Sequence, residues 1–156
     1  MSKPRTTPSR KSARPPITPL IGSLLRLPHE VVVARMLAAL ASQGCDLTPT
    51  ELGVFLYPGP DGRRPIELAR QCNMTRQAMN YVVSGLEQRG YIERQVGTSP
   101  AATQVRLTDK GWEVLAEIRA CVAAIEKEWA AHLGAQRFEA LRETLLELSR
   151  WLGKLA

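Results

Sequence analysis

The 156-residue sequence predicts a mostly α-helical domain that carries one small β-hairpin. Over most of the chain, apolar residues recur at spacings of three and four, which is the period of an amphipathic helix. Two short runs, residues 91–96 and 103–108, instead alternate between apolar and polar side chains, as strands do. The apolar content of 44% and the charged content of 23% are ordinary for one globular domain with its own core.

The first two predicted helices are recognised by their ends. Residues 28–43 form an apolar-periodic run that begins at Pro28, with proline favoured at a helix start, and stops before glycine. In the second helix, Thr48 can cap the N-terminus, Pro49 takes the first helical position and Glu51 completes a capping box. Prolines and glycines over residues 58–62 then predict a loop.

Two short helices joined by a tight turn follow this loop. The first begins at Pro65, Asn73 and Met74 form the turn, and Thr75 caps the second helix, which ends at Gly90. This order is the helix-turn-helix arrangement. The second helix is expected to bury one stripe of residues at i, i+3, i+4 and i+7, namely Met79, Val82, Val83 and Leu86.

The two alternating runs predict a β-hairpin, or wing, directly after the second helix. Ile92 and Val96 on the first strand, and Val105 and Leu107 on the second, are expected to face inward. The polar sequence GTSPAA lies between the strands as the hairpin loop. A strand–loop–strand unit after a helix-turn-helix predicts a winged helix-turn-helix domain.

A long helix follows the wing, capped by Thr108 and running from Asp109 to about His132, with Gly134 as its stop. Trp112 and Trp129 could line a ligand pocket, but apolar residues at helical spacing more often belong to a core, and we expect the core. The predicted apolar stripe consists of Trp112, Leu115, Ile118, Val122, Ile125 and Trp129.

The last helix carries a narrow apolar seam. The spacings of 3, 4, 3 and 4 give two apolar residues in seven, which is typical of a helix that packs on one partner helix, and the seam consists of Phe138, Leu141, Leu145, Leu148 and Leu152. The partner could be the preceding helix of the same chain or the terminal helix of a second copy. The size of the domain favours the second copy, because a small winged-helix core cannot shelter both long helices.

Charge is concentrated in two parts of the chain. The net charge is +6; residues 1–16 hold five basic residues and no acidic one, and residues 61–110 hold eight basic and five acidic residues. A basic arm and a basic centre indicate a polyanionic partner. Residues 1–16 could be a solvated tail or a flexible arm that contacts phosphate or the minor groove.

The exposed face of the second short helix has the chemistry of a DNA-reading surface. In a helix-turn-helix the first turn of the second helix meets the bases, so Arg76 is expected at guanine and Gln77 at adenine, with Asn80 one turn further on. Thr75 and Ser84 suit phosphate oxygens, and Tyr81 suits a phosphate or a thymine methyl group. The alternative is a solvated face on a winged-helix module that docks proteins.

Taken in order, the pieces ELA, LEQRGYIER and LTDKG resemble the MarR (multiple antibiotic resistance regulator) family of bacterial transcription factors. The similarity runs over residues 28–152 and is most specific over residues 68–111. The resemblance implies a homodimeric winged helix-turn-helix regulator that usually represses a nearby operon at a pseudo-palindromic DNA site. It also implies a small, often aromatic molecule that binds between the dimerisation region and the DNA-binding lobe and releases DNA.

The resemblance also assigns residues by position. The recognition-helix contacts of the family match Thr75, Arg76, Gln77, Asn80, Tyr81 and Ser84, and its structural core matches Leu86, Gly90 and Leu107. Wings of the family usually carry an aspartate and arginines, which the tip of this hairpin lacks. The wing candidates for DNA contact are therefore Arg94, Thr98, Ser99 and Arg106. Residues 1–16 could compensate for the charged residues that the wing tip lacks.

The predicted organisation is a disordered basic arm over residues 1–16 and one MarR-like domain over residues 17–156. Within it, residues 48–108 form the winged-helix lobe, and residues 20–44 and 109–156 form the dimerisation helices.

The sequence does not predict an enzyme, a metal site or a cofactor. Its two histidines, His29 and His132, are isolated on helices, and there is no Gly-rich phosphate loop, metal-spaced cluster or nucleophile–base pair. No stretch reaches the ~18 apolar residues of a membrane span, so we expect no membrane partner and a cytoplasmic location. Cys45, Cys72 and Cys121 are scattered, which fits free thiols; Cys72 is expected in the core, and Cys45 in a loop where it could be exposed to oxidants.

Overall fold

The computed structural model describes residues 18–56, 59–97 and 102–153. Residues 1–16 of the predicted arm and the wing-tip candidates Thr98 and Ser99 lie outside these ranges. The elements in chain order are α1 (Ile21–Ser42), α2 (Pro49–Phe55), α3 (Pro65–Gln71), α4 (Arg76–Gln88), β1 (Ile92–Gln95), β2 (Gln104–Leu107), α5 (Asp109–Leu133) and α6 (Ala135–Trp151). The predicted fold class, mostly helical with a two-stranded antiparallel wing, is confirmed.

Helix α1 begins at Ile21, seven residues before the predicted start, and Pro28 lies inside it. The prediction was wrong because it treated proline as the first helical residue, whereas proline within a helix removes one backbone hydrogen bond without preventing further turns. The added turns expose Ile21, Leu24, Leu25 and Leu27 at 44–69% of their surface. These turns therefore extend the helix beyond the core of this chain.

The predicted caps of the next helices are confirmed. At α2 the Thr48 hydroxyl accepts the Glu51 N–H at 3.2 Å, and a Glu51 carboxylate oxygen accepts the Thr48 N–H at 2.9 Å. These two bonds satisfy backbone groups that the first helical turn leaves free. At the turn between α3 and α4, Asn73 adopts a left-handed φ of 51°, and the Met74 N–H donates to the Ala69 carbonyl at 2.8 Å.

The wing is a two-stranded antiparallel sheet in which Ile92 pairs with Leu107 and Gln95 with Gln104. Ile92, Val105 and Leu107 are buried as predicted, but Val96 is 78% exposed. The prediction for Val96 was wrong because β1 ends at Gln95, so the strand alternation no longer applies at the next residue.

Helix α5 keeps its predicted start and stop. The Thr108 hydroxyl accepts the Gly111 N–H at 3.1 Å, and Gly134 ends the helix at a φ of 89°. Trp112, however, is 46% exposed, and Val114 is buried in its place. At about 100° per residue, Trp112 lies at the edge of the stripe set by the later apolar residues, so it faces solvent.

The core lies where α1, α5 and the winged-helix lobe meet. Arg35 of α1 donates two hydrogen bonds to the Glu128 carboxylate of α5, at 2.6 and 2.7 Å. Cys45, predicted in a loop where it could be exposed, is 7% exposed because the chain turns back after α1 and the Cys45 N–H donates to the Leu40 carbonyl at 3.0 Å. Cys72 is half-buried and packs against this core.

The seam of α6 is mostly uncovered. Phe138 is 9% exposed against the rest of the chain, whereas Leu141, Leu145, Leu148 and Leu152 are 37–55% exposed. Leu141 and Leu145, together with the first turns of α1, border an open cleft of about 650 Å³ that also contacts Trp129 and both histidines. None of the helices in the described part of the chain combines the length and apolar character that crossing a bilayer requires.

Candidate nucleic-acid interface

Helix α4 buries one face and presents the other to solvent. The buried stripe is the predicted one, with Met79, Val82, Val83 and Leu86 all no more than 8% exposed. The Thr75 hydroxyl caps the helix by accepting the Ala78 N–H at 3.2 Å. The outward face then carries Arg76, Gln77, Asn80 and Tyr81, of which Tyr81 is 83% exposed.

The first turn of α4 is free to meet an external partner. Among the residues that the structure describes, the side chains of Arg76, Gln77 and Asn80 form no hydrogen bond or ion pair. Their donors and acceptors therefore point into solvent at the end of the helix that a helix-turn-helix inserts into the major groove. The structure brings these three predicted residues together on one exposed surface.

Arg89 anchors the far end of α4 to the body of the domain. Its guanidinium donates to the Asp46 carbonyl at 2.9 Å and to the Gly85 carbonyl at 3.2 Å, and it forms an ion pair with the Glu51 carboxylate. Because Glu51 also belongs to the α2 capping box, α2 and α4 share one network of charge-assisted hydrogen bonds. This network fixes the direction in which α4 leaves the core.

Two of the residues predicted to contact DNA, Arg94 and Ser84, are hydrogen-bonded to each other. Arg94 lies on the inward face of β1, where its guanidinium pairs with the Glu87 carboxylate and donates to the Ser84 hydroxyl oxygen at 3.0 Å. The same guanidinium donates to the Asn80 carbonyl at 3.4 Å. Arg94 thus connects the wing to the recognition helix.

The base of the wing is held by Asp61, which was not predicted from the sequence as a functional residue. One Asp61 carboxylate oxygen accepts the Leu107 N–H at 2.9 Å, and the other lies 3.7 Å from the Arg106 guanidinium. The loop before α3 also pairs with β2, since the Val105 N–H donates to the Arg63 carbonyl at 2.8 Å. The sequence shows an aspartate followed by a glycine at this position. Its partner Leu107 lies 46 residues further along the chain, so no local sequence pattern indicated this hydrogen bond.

Arginines also border the start of α3. The Arg64 guanidinium donates to Glu67 at 2.7 Å, and this hydrogen bond holds the pKa of the Glu67 carboxyl below its usual value and raises the pKa of Arg64. Arg63 and Arg70 are exposed next to this pair. The lobe therefore presents the exposed guanidinium groups of Arg63 and Arg70 in addition to the hydrogen-bonding surface of α4, an arrangement suited to phosphates flanking base edges.

A helix-turn-helix followed by a two-stranded hairpin, with this polar first turn on the second helix, defines the winged helix-turn-helix class of DNA-binding proteins. Residues 46–101 match the sequence model of the MarR family. Over this winged-helix segment the chain is similar to the MarR family of transcriptional regulators. No curated protein sequence matches it significantly.

Two solved relatives extend this similarity beyond the matched segment. The transcriptional repressor CouR, solved with a 23-mer DNA duplex, is 28% identical, with a TM-score of 0.65 over 83% of this chain and 92% of that one. Rv2887 of Mycobacterium tuberculosis, solved with DNA, is 27% identical, with a TM-score of 0.62 over 84% and 98% of the two chains. Rv2887 was also solved with salicylic acid, at 29% identity and a TM-score of 0.61 over 84% and 97%.

Proposed function

We propose that this protein is a sequence-specific regulator that binds a pseudo-palindromic operator as a homodimer and represses transcription until a small aromatic molecule releases it. The observation that carries the proposal is the exposed, unpaired set of Arg76, Gln77 and Asn80 on the first two turns of α4. These side chains match the donor and acceptor patterns of base edges in the major groove. Structures of CouR and Rv2887 on DNA support the same use of the fold.

The uncovered apolar face supports the homodimer. Soluble monomers rarely expose large continuous apolar patches, and here the first turns of α1 and the seam of α6 form one. A second copy related by two-fold symmetry would cover both surfaces at once, since each would meet its equivalent. Two α4 helices would then enter successive major grooves about 10 base pairs apart.

An effector site is supported by a cavity of about 550 Å³ between α1, α2 and the turn before α4. A ligand there would touch both the dimerisation helix, through His29, and the turn that sets the start of α4, through Asn73. Its lining within the described ranges holds no arginine or lysine, which favours an aromatic ligand with neutral polar groups. The lining consists of His29, Pro49, Thr50, Gly53, Leu56, Gln71, Cys72, Asn73 and Met74.

The DNA-binding proposal is tested by footprinting the DNA upstream of the protein's own gene. We expect a protected segment with two similar half-sites whose centres lie about one helical turn apart. Protection of random length and position would contradict an operator. It would favour the competing function, a winged-helix module that docks proteins.

The effector proposal is tested by titrating salicylate and its uncharged analogue salicylamide into the protein–DNA complex. We expect release of DNA, at lower concentrations for salicylamide. Gly53→Leu is the matched variant, because a Cβ on Gly53 meets no atom within 4 Å and the larger side chain would occupy the cavity. It should bind DNA normally and lose the response, whereas an unchanged response would place the effector elsewhere.

A further inference from the structure

We propose that Arg94 is a positioning residue that clamps the wing to the recognition helix, and that it does not contact DNA. This inference rests on the proposed function, since it concerns how α4 is presented to the operator. By family resemblance, an arginine near the wing is expected to reach a groove or a phosphate. In this chain, contacts within the same lobe already engage its guanidinium.

The clamp is built from both the side chain and the backbone of Arg94. The Arg94 N–H donates to Glu87 Oε1 at 3.1 Å while its Nη1 pairs with Oε2 of the same carboxylate. Its Nη2 reaches the Ser84 hydroxyl oxygen and the Asn80 carbonyl. Asn80, Ser84 and Glu87 lie at i, i+4 and i+7, so the guanidinium spans two turns of α4 along one ridge.

The position of this ridge links the clamp to DNA reading. The Asn80 carbonyl that Arg94 bonds belongs to the residue whose side chain is proposed to reach a base. A planar guanidinium can hold several acceptors in a fixed geometry, which a lysine ammonium on a flexible stem cannot reproduce. The rotation of α4 relative to β1 therefore depends on the planar shape of the Arg94 guanidinium as well as on its charge.

The charges of the pair cancel near the DNA-facing surface. The side chains of Arg94 and Glu87 are 27% and 35% exposed, so both are partly withdrawn from solvent. A paired guanidinium releases no counterion from a phosphate, and an unpaired Glu87 would repel one. Arg94 should consequently contribute nothing to the salt dependence of DNA binding.

The test compares Arg94→Lys, Arg94→Gln and Glu87→Gln with the natural protein, using the upstream duplex and a scrambled duplex at several salt concentrations. The full chain is used, Arg119→Lys on the exposed side of α5 is the matched control, and thermal unfolding checks each variant's folding. We expect Arg94→Lys to lower the affinity ratio between the two duplexes roughly three- to thirtyfold while leaving the salt slope unchanged. Glu87→Gln should lower the same ratio and, by freeing the guanidinium, steepen the salt slope by about one.

Two results would overturn the clamp. One is an unchanged ratio in Arg94→Lys with a slope reduced by about one in Arg94→Gln, which would identify a phosphate contact. The other is an unchanged ratio in Glu87→Gln, which decides the question alone if the Arg94 variants do not fold. A natural protein without preference for the upstream duplex would instead contradict the proposed function, so the two failures are distinguishable.

Discussion

Arg76 allows a sharp prediction about a single side chain. Its side chain is exposed on the first turn of α4 and is expected to bond a guanine edge. Arg76→Ala should weaken operator binding by about 1–3 kcal/mol and relax base preference at one position in each half-site. Fluorescence anisotropy against single-base operator variants measures both effects.

The control for Arg76 is Arg119→Ala, which removes the same charge from the outer side of α5. It should leave operator binding almost unchanged. If Arg76→Ala weakened specific and random DNA equally, the residue would be a phosphate contact.

Tyr91 makes a prediction about alkaline stability. Burial first, and then the hydrogen bond to the Cys45 thiol, raise the pKa of Tyr91 from 10.0 to about 12. Because the folded pKa is the higher one, the stabilisation of the neutral phenol is complete below pH 10 and is lost as the pH rises through 12. Between these values the natural protein should lose about 1–2 kcal/mol of unfolding free energy relative to Tyr91→Phe.

Urea unfolding of both proteins from pH 9 to 12 provides the measurement. The difference between the two curves cancels the other tyrosines and the lysines, which titrate in both. Parallel curves would show that Tyr91 ionises as it does in the unfolded chain.

At the scale of single residues, the sequence predicted what depends on near neighbours. The stripe of α4, the caps Thr75 and Thr108, and the exposure of Arg76 follow from spacing and from bonds within three or four residues. Cys45, Asp61 and Arg94 could not be placed in this way, because their partners are distant in sequence or lie on another element. Their burial and pairing are properties of the assembled lobe.

At the scale of elements, Gly111 sets how closely α5 approaches the wing. It is buried, and a Cβ there would overlap the Tyr91 carbonyl oxygen and lie 2.9 Å from a Leu107 methyl carbon. Gly111→Ala should therefore destabilise the protein by about 1–3 kcal/mol, as overpacking does. Chemical denaturation measures the change.

Gly85→Ala is the matched control, since it also places alanine inside a helix. Its Cβ would meet only a Glu51 carboxylate oxygen at 3.8 Å, which is an ordinary contact. It should leave the protein as stable or up to about 1 kcal/mol more stable. Equal destabilisation of both variants would mean that backbone approach does not set the Gly111 requirement.

Element boundaries were predictable where capping chemistry marked them. Helix α2 begins after Thr48 as expected, but α1 continues through Pro28 because a proline inside a helix removes one backbone hydrogen bond without preventing further turns. The burial predictions for Val96 and Trp112 were wrong for a related reason. Val96 lies just after its strand ends, and Trp112 lies at the edge of the apolar stripe of α5. The wing was found from its alternation, whereas its pairing with the loop before α3 required the fold.

At the scale of the whole molecule, the exposed seam of α6 predicts the assembly. Leu145→Glu would place a charge in the proposed two-fold interface and should yield monomers in sedimentation velocity experiments. Leu146→Glu makes the same change outside the seam on the same helix and should remain dimeric. An intact Leu145→Glu dimer would indicate that the seam does not form the interface.

We propose that the exposed face of α4 reads a DNA sequence, and fluorescence anisotropy measures this property in the full-length protein. The full-length protein is titrated into DNA from upstream of its own gene and into a scrambled duplex of equal composition, at three salt concentrations. We expect tight binding to the upstream duplex that persists near physiological salt and clearly exceeds binding to the scrambled one. Equal, weak binding to both duplexes that disappears as salt rises would contradict it.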